Sequence, residues 1–233
     1  MANKTPVEYL VDVPNDVFPS NDYSEFVEGL FTQTGDHSKQ VAHAFLGVLT
    51  EIHELSRATS DEELLDEGGD LLFYLTALGI SCRDFLTEGY DLTSDEVPEE
   101  LQLKVASILE DPQLDAVGSE YEEAFAEGDN FQKFLKDTEA QVLDEIKKWV
   151  GYGKAPKNPF LMSARVTMLS AQALYDAYVQ LHHKDYQAMI EEMVRRNMAK
   201  LTKRYDGTKF DVDKAMNKDK AAEAEAVRKE MEQ

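Results

Sequence analysis

The chain has 233 residues, 42% of them hydrophobic, and sets 46 acidic residues against 24 basic ones for a formal net charge of −22. That length suits one large domain or a domain with an insertion, and the apolar content suffices for a real core. An acidic balance of this size argues against nonspecific binding to nucleic-acid backbone. The single cysteine, Cys82, excludes an internal disulfide and a cysteine-based zinc site. No apolar run approaches the roughly 18 residues of a membrane span, and the N-terminus lacks a signal-peptide core. The expectation is a cytoplasmic protein that binds neither membrane nor nucleic acid directly.

Glycine and proline are sparse and no alternating apolar strand stands out, so the expected fold class is all-α. Residues 1–20 hold three prolines without a helical period and read as an extended N-terminal arm. A helix over about 21–33 carries Phe26, Leu30 and Phe31, and Gly35 breaks it. Asp36 is the expected N-cap of a second helix running to about Ala58. Ser60-Asp61-Glu62-Glu63 reads as a capping box opening a third helix, about 61–86. The short link predicts an antiparallel helical hairpin at the heart of a helical bundle.

That hairpin holds two carboxylate pairs, Glu51 with Glu54 and Glu67 with Asp70. Each is spaced i,i+3, which puts both members on one helix face with Cβ atoms roughly 5–6 Å apart. The apolar stripe of the second helix runs Val41, Phe45, Val48, Ile52, Leu55; that of the third runs Leu64, Leu71, Leu75, Leu78. With Gly68 filling the missing step of the third helix, all four acids come one residue before a stripe position, so they border the core. A fold about residue 59 or 60 sets the two pairs opposite each other. Four carboxylates that close need a compensating cation, and an all-oxygen donor set favours Mg²⁺ or Mn²⁺ over zinc. A solvated acidic face is the other reading of the same residues.

Residues 87–160 read as an acidic helical insertion. From Glu88 to Asp129 it has fourteen acids and one lysine, Lys104. Helices are expected at about 100–110 and 119–127, then an amphipathic segment from about 131 to 149. Its acidity suits a solvated face or a docking surface for a basic partner. GYGKAPKNP, residues 151–159, reads as a connector, with a phosphate loop as the alternative. Helices at about 161–182 and 185–205 complete the bundle, and 213–233 is a flexible or helical tail with no assigned role.

VRRNMAKLTKRYDGTKF, residues 194–210, is the one concentrated basic segment. Asn197, Lys200 and Arg204 fall at i, i+3, i+7 on one face. An amide, an ammonium and a guanidinium in one stripe suit an anionic ligand with sugar or base groups. A basic helix end favoured by the macrodipole is the plainer reading.

HAFLGVLTEIHELSRA followed by DEELLDEGGDLLFYLTALG resembles the MazG-like nucleotide pyrophosphohydrolases of the all-α NTP pyrophosphatase superfamily, of the phage type. Their pattern is EExxE, a spacer, then ExxD; Glu51, Glu54, Glu67 and Asp70 match it, with Thr50 in place of the first glutamate. NMAKLTKRYDGTKF is similar to the family's ending, roughly NxxKLxxRYPxGF, with Thr208 as an extra residue. The resemblance covers about residues 36–86 and 185–219. His53 stands where a small residue is frequent, and Gly68-Gly69 read as a flexible point between two ligands.

The resemblance implies hydrolysis of a nucleoside triphosphate between the α and β phosphates, giving a monophosphate and pyrophosphate. It implies Mg²⁺, with Mn²⁺ as an alternative, on Glu51, Glu54, Glu67 and Asp70, and Glu54 as the preferred general base. Lys200 and Arg204 would stabilise the phosphates, with Lys39 a further candidate, and Asn197 and Tyr205 would touch sugar or base. His43, two turns before Glu51 and Glu54, lines the base pocket or is simply a core-edge histidine. Family members are usually homodimers or homotetramers. The alternatives are an acidic interaction protein or DNA mimic, and a non-hydrolytic nucleotide-binding regulator on the same fold. A di-iron bundle is disfavoured because neither acidic pair ends in histidine.

Overall fold

The computed structural model describes residues 21–31, 36–90, 98–127, 131–156, 158–183, 185–205 and 210–232. The expected arm at 1–20, the break at Gly35 and residues 206–209 of the basic segment lie outside them. The described residues form helices and no strand: α1 (Asn21–Phe31), α2 (His37–Leu55), α3 (Asp61–Thr87), α4 (Glu99–Leu109), α5 (Pro112–Ala126), α6 (Phe131–Tyr152), α7 (Pro159–Gln180), α8 (Tyr186–Tyr205), α9 (Val212–Met216) and α10 (Lys220–Met231). The all-α bundle expected from the sequence is the fold observed. No helix among the described residues is long and apolar enough to cross a membrane.

Local chemistry fixes the central hairpin. The Asp36 side chain accepts from Lys39 N at 3.1 Å and starts α2. At the next start Ser60 Oγ accepts from Glu63 N at 3.2 Å while Glu63 returns to Ser60 N at 3.2 Å, and Glu63 also takes Thr59 N at 2.8 Å. Each cap satisfies amides that a helix start leaves without an intrahelical partner. Between these starts α2 and α3 run antiparallel and bury Val41, Phe45, Val48, Leu55, Leu64, Leu71 and Leu78 in one core.

α8 lies across α3 at very short range. A Cβ on Gly69 would sit 2.7 Å from the Met193 carbonyl oxygen and 3.1 Å from Asn197 Cβ, and one on Gly68 would overlap the end of the Met193 side chain. The two glycines therefore mark a close helix–helix approach, where the sequence suggests a flexible point. Glycine costs about 1 kcal/mol against alanine in a helix, and here it brings α8 into reach of the α3 acids.

The acidic stretch is ordered along α4 and α5. Tyr121 is fully buried with Val117 and Phe131 against α7, and its hydroxyl donates to Gln172 Oε1 at 2.8 Å. Lys104, the lone lysine there, donates to the Leu86 carbonyl at 2.8 Å near the end of α3. α6 sends Val142, Ile146 and Trp149 into the same core as α2 and α3. GYGKAPKNP is a connector: α6 runs on to Tyr152, Gly153 turns the chain with φ +64°, and Asn158 caps α7.

Candidate active site

Three of the four expected carboxylates meet. Glu51 and Glu54 from α2 and Glu67 from α3 each offer an oxygen, and these oxygens all lie within 4.8 Å of one another. Glu54 is exposed, whereas Glu51 and Glu67 are half-buried. Burial pushes the Glu51 carboxyl up to about 8, and the charges of Asp70, Glu54 and Glu67 push the same way against Lys200. Glu67 is raised too, by burial and then by Asp70 and Glu54. Glu51 Oε2 is buried and has no hydrogen-bond partner.

An unpartnered carboxylate oxygen among like charges is an arrangement that a bound cation would relieve. The donors are all carboxylate oxygens, which suits a hard divalent ion. Glu51, Glu54 and Glu67 thus fit a divalent cation and are the residues that would hold it.

Asp70, the fourth expected ligand, is engaged by α8. Asn197 Nδ2 donates to Asp70 Oδ1 at 2.6 Å, and Lys200 Nζ lies 2.8 Å from both carboxylate oxygens. Tyr23 Oη donates to Asn197 Oδ1 at 3.2 Å, so the amide joins α1 to α3. Burial works against the Lys200 ammonium, but the charge and hydrogen bond of Asp70, with the charge of Asp66, outweigh it and hold its pKa above the ordinary lysine value. Asn197 and Lys200 are buried behind the acids and fix Asp70 at the edge of the site.

Beside the glutamates opens a cavity of about 160 Å³, lined by Glu51, Asp70, Phe31, His43, Phe73, Tyr74, Arg204, Tyr205, Phe210 and Lys218, among others. His43 stacks on Phe31 with ring centroids 5.0 Å apart, and Tyr74 stands edge-on to both at 5.9 and 6.1 Å. Gly47 makes this possible, since a Cβ there would overlap the Tyr74 ring. Burial lowers the His43 pKa and so favours the neutral ring. Burial pushes the Tyr74 hydroxyl up to about 12, helped by Glu51 and Asp70.

Of the expected ligand-binding residues, Arg204, Tyr205 and His43 line this cavity, while Asn197 and Lys200 hold Asp70. Lys39 is not brought there: its side chain is 77% exposed and pairs with Asp36 at 2.8 Å. His53 points elsewhere as well, with Nε2 2.7 Å from Glu139 Oε1 of α6. It neither crowds the glutamates nor enters the pocket. Sequence reasoning missed the aromatic wall of Phe31, Phe73 and Tyr74, and it missed Lys218 and Glu223 from the tail. Glu223 is buried and grips Arg204 Nε and Nη2 at 2.8 Å each. Only Phe31 gave an early signal, as an apolar residue at the end of a helix.

The cavity wall thus brings together Glu51 of the glutamate cluster, Asp70, aromatic side chains and the two cationic residues Arg204 and Lys218. Comparison with protein-family models, with curated proteins and with solved structures finds no match to this chain.

Proposed function

We propose that the chain is a Mg²⁺-dependent nucleoside triphosphate pyrophosphohydrolase, converting a nucleoside or deoxynucleoside triphosphate and water to the monophosphate and pyrophosphate. The observation that carries this reading is the shared cavity, whose wall holds Glu51, Asp70 and Arg204 together with aromatic side chains. A nucleoside triphosphate needs all three: a divalent cation, a donor for phosphate oxygens and a flat surface for the base. The resemblance of the ExxE, ExxD and NxxKLxxRY segments to MazG-like enzymes supports the same conclusion.

The residues divide the work. Glu51, Glu54 and Glu67 would hold the cation, which would supply charge neutralisation at phosphate oxygens and activation of water. Glu54, the exposed member of the cluster, is the proposed base that takes a proton from the attacking water. Asn197 and Lys200 hold the Asp70 carboxylate in place at the cavity wall. Arg204 donates to phosphate oxygens as charge develops. The Phe31–His43 stack and Tyr74 receive the base and exclude water from it.

The test is pyrophosphate release across the common ribo- and deoxyribonucleoside triphosphates with Mg²⁺ or Mn²⁺. Turnover of at least one, lost in Glu67→Gln by about 100-fold or more, is the expected result. No turnover of any, or nucleotide binding without pyrophosphate, would overturn the reading.

A further inference from the structure

We propose that the C-terminal segment completes the anion side of this pocket, with Glu223 as the residue that positions Arg204 and Lys218 as a direct polyphosphate contact. The inference rests on the polyphosphate reading of the cavity and assigns to it two residues from a stretch whose sequence suggests only a tail.

Glu223 is a charged residue in an alanine-rich helix near the end of the chain, yet it is only 5% exposed. α10 packs along α8, with Glu223 and Val227 one turn apart on the buried face. Both Glu223 oxygens are used on Arg204, one for Nε and one for Nη2. This fork-on-fork geometry fixes the plane of the guanidinium, which a single contact would leave free to swing. The carboxylate itself does not line the cavity, whereas Arg204 does. Glu223 therefore grips Arg204 through Nε and Nη2 without itself lining the ligand space, and the Tyr205 side chain, which does line it, also bonds Arg204.

This grip has an electrostatic consequence. Paired with Glu223, Arg204 offers oriented N–H donors but little net charge, and Lys200 is likewise neutralised by Asp70. Lys218 supplies the missing charge. It sits between the short α9 and α10, is exposed, reaches the cavity wall, and has no ion pair among the described residues. An oriented guanidinium plus an unpaired ammonium suits a chain of phosphates, where one group needs directional donors and the next needs charge.

The experiment measures the affinity of wild type, Lys218→Ala and Glu223→Gln for inorganic triphosphate with Mg²⁺ by calorimetry. Mn²⁺ affinity and thermal midpoint are measured alongside. Lys218 is exposed, so K218A folds as wild type; E223Q keeps the shape and one acceptor. Both variants are expected to weaken triphosphate binding by about tenfold and to leave Mn²⁺ affinity unchanged, a split that general loosening of α8 would not give. Unchanged triphosphate affinity in K218A or E223Q overturns the assignment, as does tighter binding in E223Q, which would make Glu223 a competitor of the ligand. So does a wild type that binds no triphosphate. A wild type that hydrolyses no nucleotide but shows the expected split removes the hydrolase reading and leaves this assignment standing.

Discussion

At Glu51, burial and three neighbouring carboxylates act in one direction, and the consequence is measurable without any substrate. The metal-free folded chain keeps a proton on Glu51 up to about pH 8, whereas the unfolded chain releases it near the ordinary value of 4.5. The folded state therefore binds more protons in this window, and stability falls as pH rises through it. Glu67 shifts in the same direction. Thermal midpoints taken from about pH 5 to about pH 9 should decline without divalent ions, and Mg²⁺ or Mn²⁺ should restore them most at the alkaline end. Glu51→Gln removes the burden and the ligand together. Near pH 8 its metal-free midpoint is expected to rise by about 2–4 °C, while stabilisation by Mn²⁺ disappears. A variant that is less stable than wild type in the absence of metal would contradict this account of the cluster.

The element that decides whether the site forms is the α3–α8 contact. Gly69→Ala drives a methyl toward the Met193 carbonyl, 2.7 Å from its ideal position, and backbone cannot step aside as a side chain end can. α8 must move, and the Asn197 and Lys200 bonds to Asp70 move with it. A loss of about 2–3 kcal/mol is expected in chemical denaturation. Gly79→Ala, in the same helix with nothing within 4 Å of the new methyl, is the control and should gain about 0.5–1 kcal/mol. Equal effects at the two positions would mean that α8 does not lean on α3 as described. The hairpin itself was legible because its signals are local: Asp36 and Ser60 cap within three residues, and helical spacing sets both acid pairs level. Gly68 and Gly69 were not, because a glycine gives no sign of which distant helix it admits, and Met193 lies far along the chain. His53 failed for the same reason, since its partner Glu139 belongs to another helix. Lys39 suits phosphate by its charge alone, and its neighbour Asp36 already holds that charge.

For the whole molecule, the charge of −22 sets a background against which any cation effect must be read. Monovalent salt screens self-repulsion and should raise the thermal midpoint of every variant alike. Stabilisation by Mn²⁺ at the glutamate cluster should survive about 0.3 M monovalent salt in wild type and be missing from Glu51→Gln and Glu67→Gln. Loss of the Mn²⁺ effect with salt in all three would reduce the cluster to part of a diffuse acidic surface. The tail belongs at this scale too. Its alanine, lysine and glutamate composition says helix or nothing, and only the folded chain shows Glu223 buried against Arg204.

The proposed reaction cuts a nucleoside triphosphate between its first and second phosphates. Triphosphates labelled at the α phosphate, incubated with Mg²⁺ and separated into products, test it most directly. The account predicts label in the monophosphate, an equal amount of unlabelled pyrophosphate, and loss of both in Glu67→Gln. Label appearing in a diphosphate, label left in every triphosphate offered, or an undiminished Glu67→Gln would contradict it.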